Sequence, residues 1–168
     1  MAVVKITRNL LKQFYGIGAT PTYSACGPFT KLTEENSPEI DDTAFIGDKN
    51  GSPTVTGYKN KWGFEAQVHE GDTVVDDLLA IARGQKVGSD CERSLVDVDM
   101  NKLSSTEGSY YARQFVVAVE CTPPAGDPKS ITKITGNFHQ VGDLVEGLFA
   151  VASKTFTAGT FTPATPAA

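Results

Sequence analysis

Lys61–Glu70 reads KWGFEAQVHE and runs directly into Gly71–Gly84, GDTVVDDLLAIARG; together these two stretches decide the fold. In the first, Trp62, Phe64, Ala66 and Val68 alternate with Gly63, Glu65, Gln67 and His69. That period of two gives a strand one apolar and one polar face. In the second, Val74, Val75, Leu78, Ile81 and Ala82 recur at helical spacing. Asp72 stands where a carboxylate accepts from the free N–H groups of a first turn, and Glu70, Asp76 and Asp77 complement the positive helix end. Arg83 falls in the last turn and Gly84 is placed to end it. One amphipathic helix over about 72–83, flanking a β body, is predicted.

Upstream, Thr43–Tyr58 runs TAFIGDKNGSPTVTGY, two β-prone pieces around Asp48-Lys49-Asn50-Gly51. Asn-Gly is a strong hairpin signal, so the segment reads as a hairpin or extended loop. Pro28–Asp42 gathers Glu34, Glu35, Glu39, Asp41 and Asp42 and reads as an exposed strand edge or a solvated connection, with a plain surface loop the competing reading. Ala2–Ile6 is a short apolar strand candidate, and the stretch from there to Thr20 is a strand or an arm. Downstream, strands are predicted at Cys91–Met100, Tyr110–Cys121, Ser130–Gln140 and Asp143–Val151, separated by Gly- and Pro-containing turns such as TPPAGDP. After Lys154 the chain becomes uncharged and rich in Thr, Ala and Pro. The division expected is a β domain over 1–154 and a flexible or partner-bound arm over 155–168. The fold class is mainly β: a β-sandwich or partial barrel with one helix.

The 168 residues suffice for one core, and 40 % hydrophobic with 21 % charged residues is far from the composition of a disordered chain. Fifteen basic against twenty acidic residues give a formal charge of −5, the wrong balance for gripping nucleic acid through its phosphates. The start, MAVVKITRNLLKQF, lacks the apolar run of a secretory signal, and no stretch approaches the roughly 20 apolar residues of a membrane span. Cys26, Cys91 and Cys121 form no CxxC pair and read as reduced thiols in a protein made in a reducing cytoplasm.

Catalysis needs a nucleophile beside a base, paired carboxylates or a metal cluster. His69 and His139 each alternate with polar residues and read as surface or interface side chains. Asp97 and Asp99 share one strand face about 7 Å apart, the spacing of a carboxylate pair but also that of a wetted sheet face. Gly16 and Gly18 in YGIGAT lack the third glycine and the following helix of a dinucleotide loop. No enzyme, metal or cofactor is expected.

The order of motifs, an acidic segment, AFIGDKNGSPTVTGY, KWGFEAQV, a helix capped from GD and the closing GDLVEGLFAVASKTFTAGTF, resembles the major tail tube proteins of long-tailed, siphovirus-type bacteriophages. The likeness covers most of Thr43–Thr162. It implies a virion structural subunit that joins sheet edges into hexameric rings, stacked into a tube for DNA delivery. It also implies a continuous β-barrel lumen through which DNA passes without specific binding, with tape measure, tail terminator and distal tail proteins as further partners. Under that resemblance, Asp48, Lys49, Asn50, Gly51, Phe156 and Phe161 are candidate inter-ring contacts. Glu65, Asp97, Asp99 and Glu120 are candidate lumen-facing acids that keep DNA off the wall, unless all four lie outside. The runner-up is a β-sandwich binding module or virion decoration protein displaying Trp62, although the alternation of Trp62 with Phe64 and Val68 places it in a core.

Overall fold

The computed structural model describes residues 5–44, 46–47 and 49–164. Its strands are β1 (Leu11–Ile17), β2 (Thr22–Ala25), β3 (Phe29–Thr43), β4 (Ser52–Gln67), β5 (Glu92–Leu103), β6 (Ser109–Cys121), β7 (Lys133–Ala150) and β8 (Thr155–Ala158), with one helix, α1 (Thr73–Gly84), between β4 and β5. They form a single antiparallel sheet in the order β2-β1-β5-β6-β7-β4-β3, with β8 added beside β7. The mainly β class with one flanking helix is as expected. The architecture is one curled, open sheet, with aromatic side chains bridging distant strands.

Successive side chains on a strand point to opposite faces, so both faces carry an apolar cluster. On the face covered by α1, Tyr15, Trp62, Phe64, Leu95, Phe115 and Phe138 pack with Leu78 and Ile81 of the helix. Phe64 stacks on Phe138 with ring centroids 4.5 Å apart, and Trp62 meets Phe115 edge-on at 4.6 Å. On the other face, Phe14, Tyr23, Val96, Val98, Ala112 and Phe149 form a second cluster. Tyr23 of β2 reaches Phe149 of β7 at 5.6 Å, across three intervening strands, so the sheet curls toward this face at that end.

Asp72 caps α1, its Oδ1 accepting from the backbone N–H groups of Val74 (3.0 Å) and Val75 (3.1 Å). The stop differs slightly from the expectation. Gly84 is the last helical residue, and Gln85 takes the left-handed conformation at φ 48°, where its N–H and that of Lys86 reach back to the Ile81 carbonyl. The helix is also clamped to the sheet. Tyr15 Oη donates to Asp77 Oδ2 at 2.7 Å, and Arg93 grips both carboxylate oxygens.

One further expectation is corrected, and one is decided between its alternatives. Ser130–Gln140 and Asp143–Val151 are one strand, β7, bent rather than broken. Between the pairs Val116↔Val141 and Gln114↔Val145, β7 has three residues where β6 has one, and Gly142 at φ 70° takes up the bulge. Of the readings of Pro28–Asp42, the exposed strand edge holds rather than the loop or the connection: the segment is most of β3, last in the sheet order, where Leu32 pairs with Phe64 and the strand follows β4 to its tip. The Ala2–Ile6 candidate falls mostly outside the described residues, and the path from there is a short 3-10 turn at Arg8–Leu10 leading into β1.

Candidate assembly surfaces

β4 pairs with β7 only over Lys61–Gln67, yet its pairing with β3 continues far beyond. From Asn36↔Asn60 to Thr43↔Ser52 the two strands form a ribbon with no third strand, Pro38 opposite Tyr58 and Pro53 opposite Asp42. Nearly every residue on it is exposed, including Ile40, Val55 and Tyr58. A lone two-stranded ribbon is marginal in water. Cross-strand ion pairs lace this one: Lys59 with Glu39, and Lys61 with Glu35 at 3.1 Å. Toward the tip, Asp41 and Asp42 make no ion pair among the described residues.

At the root of the ribbon lies a seam between the sheet's two ends. β2 covers β1 only from Phe14 onward, leaving the edge of Leu11–Gln13 facing the edge of β3. Arg8 spans the gap, its guanidinium donating to Gln13 Oε1 at 2.9 Å and to the Leu32 carbonyl at 3.2 Å. The open groove there, about 510 Å³, is floored by Ala25, Cys26 and Phe29 and rimmed by Arg8, Lys12 and Lys31. Burial pushes the Cys26 thiol up to about 12, so it stays protonated in the groove.

Of the expected contact residues, Asp48 lies outside the described residues. Lys49, Asn50 and Gly51 stand at the ribbon tip, exposed or nearly so, with the Asp42 carboxylate against Gly51. Phe156 and Phe161 are not on a free arm. Phe156 pairs with Phe149 in β8 and packs on the second apolar cluster, and Phe161 meets Tyr111 edge-on at 5.4 Å. Residues 155–164 are docked on their own chain, closed by Ser105 N–H to the Thr162 carbonyl (2.9 Å) and Ala164 N–H to that of Leu103 (3.0 Å). The physical reason is Gly147, whose missing side chain lets Thr157 and Phe156 lie directly on β7.

The four acids do not share one face. Glu65 and Glu120 lie on the face away from α1, engaged by Lys133 at 2.8 Å and by His139 at 2.6 Å. Those hydrogen bonds hold both carboxyls below the usual range. Asp97 and Asp99 lie on the helix side. Asp97 accepts from Gln13 at 2.6 Å and from Arg113 at 2.5 Å, and Arg113 also reaches Glu34 at 2.9 Å, tying β3, β5 and β6 together. Burial opposes the charge on Arg113, but the two carboxylates outweigh it and hold its pKa high. Asp99 is turned to Asn101 instead, so the two aspartates form no carboxylate pair. His69 is exposed beside Gln67 at 3.4 Å, and no group of three or more His, Cys, Asp or Glu converges among the described residues. Periodicity alone misses the ribbon's full length. Its signal is the run of matched polar residues on both sides of the turn, longer than a hairpin loop requires.

No family model and no curated protein matches the chain. Solved structures do. The chain is similar to one in the tail of an empty gene transfer agent particle refined with C6 symmetry, at TM-score 0.62 and 11 % identity, covering 92 % of this chain and 100 % of that one. It is similar to one in the SPP1 tail tube, at TM-score 0.63 and 12 % identity, covering 84 % and 78 %. A chain of the anti-feeding prophage baseplate follows at TM-score 0.51 and 10 % identity, covering 87 % and 97 %. The curled sheet with one helix is thus the fold of tail and tail-tube chains.

Proposed function

We propose that this chain is a structural subunit of a tail tube, assembled as stacked hexameric rings that form a conduit for DNA in a virion tail. The observation that carries the reading is likeness over nearly the whole chain: 92 % of it matches the entire length of a chain from a tail with sixfold symmetry. The exposed ribbon agrees with it. Two unpaired edges and exposed Ile40, Val55 and Tyr58 are liabilities in a solitary protein and contacts in a polymer.

The face that α1 leaves uncovered is the one a ring turns toward its bore. Over β4, β7 and β6 it presents Lys61, Glu65, Lys133, His139 and Glu120, charges already paired within the subunit, with Asn137 donating to Glu120. A wall of satisfied ion pairs offers DNA neither a strong attraction nor bare apolar surface. The subunit has a structural role rather than an enzymatic one, and the remaining tail proteins are its partners at the two ends of the tube.

Negative-stain microscopy of the purified protein over a concentration series tests the reading. Rings with a central hole or hollow filaments are expected. A monomer at every concentration, with or without other tail proteins, overturns it.

A further inference from the structure

The ribbon and the seam groove lie on one subunit but cannot meet within it. From Thr33, beside the groove, to Thr43 the strand advances ten residues, about 33 Å at the rise of an extended chain. The two are also opposite in charge. The groove's rim is cationic: Lys12 and Lys31 are exposed and make no ion pair among the described residues, and the guanidinium of Arg8 meets only neutral oxygens. Lys31 sits opposite Glu65 in the register, but that carboxylate is already held by Lys133. The groove's floor carries the part-buried apolar side chains of Cys26 and Phe29. The ribbon's outer part sets three acids around one apolar side chain, Glu39-Ile40-Asp41-Asp42, with Ile40 61 % exposed.

Resting on the tail-tube reading, we propose that the groove between β1 and β3 is the seat for the ribbon of a second copy. Ile40 enters over Cys26 and Phe29, and Asp41 and Asp42 pair with Lys12 and Lys31. The contact is head-to-tail: each copy offers a ribbon at one end and a groove at the other, about 33 Å apart. A heterologous contact of this kind repeats without exhausting itself, which is how an open-ended stack grows. Charge steers the approach, and the apolar floor supplies the burial that holds the ribbon once seated.

Charge reversal and its compensation test this on the full chain. All four residues are exposed, so the folded monomer is expected to persist, as checked by circular dichroism and thermal melting. Lys12→Glu with Lys31→Glu is expected to lower assembly at least tenfold in a sedimentation assay, and Asp41→Lys with Asp42→Lys to do the same. The protein carrying all four changes is expected to regain most of it. If the wild type forms tubes and the Lys12→Glu, Lys31→Glu protein forms them equally well, or if the fourfold variant is no better than either parent, the seat is elsewhere and the tube reading stands. If the wild type never assembles, the tube reading falls, and the seat with it.

Discussion

Arg93 grips Asp77 through two parallel hydrogen bonds, Nε to Oδ2 at 2.7 Å and a terminal nitrogen to Oδ1 at 2.8 Å, while Tyr15 Oη donates to the same carboxylate at 2.7 Å. Asp77 is on α1, Arg93 on β5 and Tyr15 on β1, so one carboxylate pins the helix to two strands. Replacing Asp77 by Ala leaves a fully buried tyrosine hydroxyl without its acceptor and a largely buried guanidinium with only the Asp90 and Glu92 carbonyls and no counter-charge. The expected loss is about 2–4 kcal/mol by urea denaturation.

The same site sets an acid limit. Burial pushes the Asp77 carboxyl up, but the hydrogen bonds from Arg93 and Tyr15 outweigh it and leave its pKa below the usual value. A folded pKa below the unfolded one means stability that is full above the unfolded value and fades as pH falls toward the folded value. Melting temperature is expected to drop through the acid range in the wild type and to drop less steeply in Asp77→Asn.

Gly136 has no room for a methyl group. A Cβ there meets the Glu120 carbonyl oxygen at 2.0 Å and the Phe64 ring at 2.9 Å, so backbone must move. Gly136→Ala is expected to cost about 1–3 kcal/mol. Gly63→Ala, at a site in the same sheet where the nearest atom is the tip of Asn137 at 3.6 Å, is expected to melt within a few degrees of the wild type.

Trp62, the sole tryptophan, is 1 % exposed against Phe115. Its emission is expected to be short in wavelength and resistant to iodide. Strong quenching in the native protein would return weight to a binding module with an aromatic platform.

A truncation measures what the docked C-terminal segment contributes. Ending the chain after Lys154 removes β8 and uncovers Phe149 and Tyr111, and the apolar area exposed sets an expected loss of about 2–4 kcal/mol.

The central strand and helix were legible because their periodicities report burial on one face: Trp62, Phe64 and Ala66 are all buried, as are Val74, Val75, Leu78 and Ile81. The Asp72 cap was legible because its chemistry is local. Long-range placement was not. Nothing near Phe156 announces that Gly147 makes space for it, and nothing in DVD announces that Asp97 turns to Arg113 while Asp99 turns to Asn101. The ribbon was half legible. Asn50-Gly51 marked its turn, but an exposed strand lacks the one-sided burial that makes a strand visible, so Pro28–Asp42 read equally as connection, loop or strand edge.

The two prolines of the ribbon occupy one strand each, Pro38 on β3 and Pro53 on β4. Neither can donate a backbone hydrogen bond, so each interrupts the row of donors along its open edge. A ribbon without them is a template for pairing with any extended chain, including misfolded copies of itself. With both edges interrupted, indiscriminate strand addition is discouraged and recognition passes to side chains. The prolines thereby leave the ribbon's exposed side chains, rather than its backbone edges, as the surface open to contact.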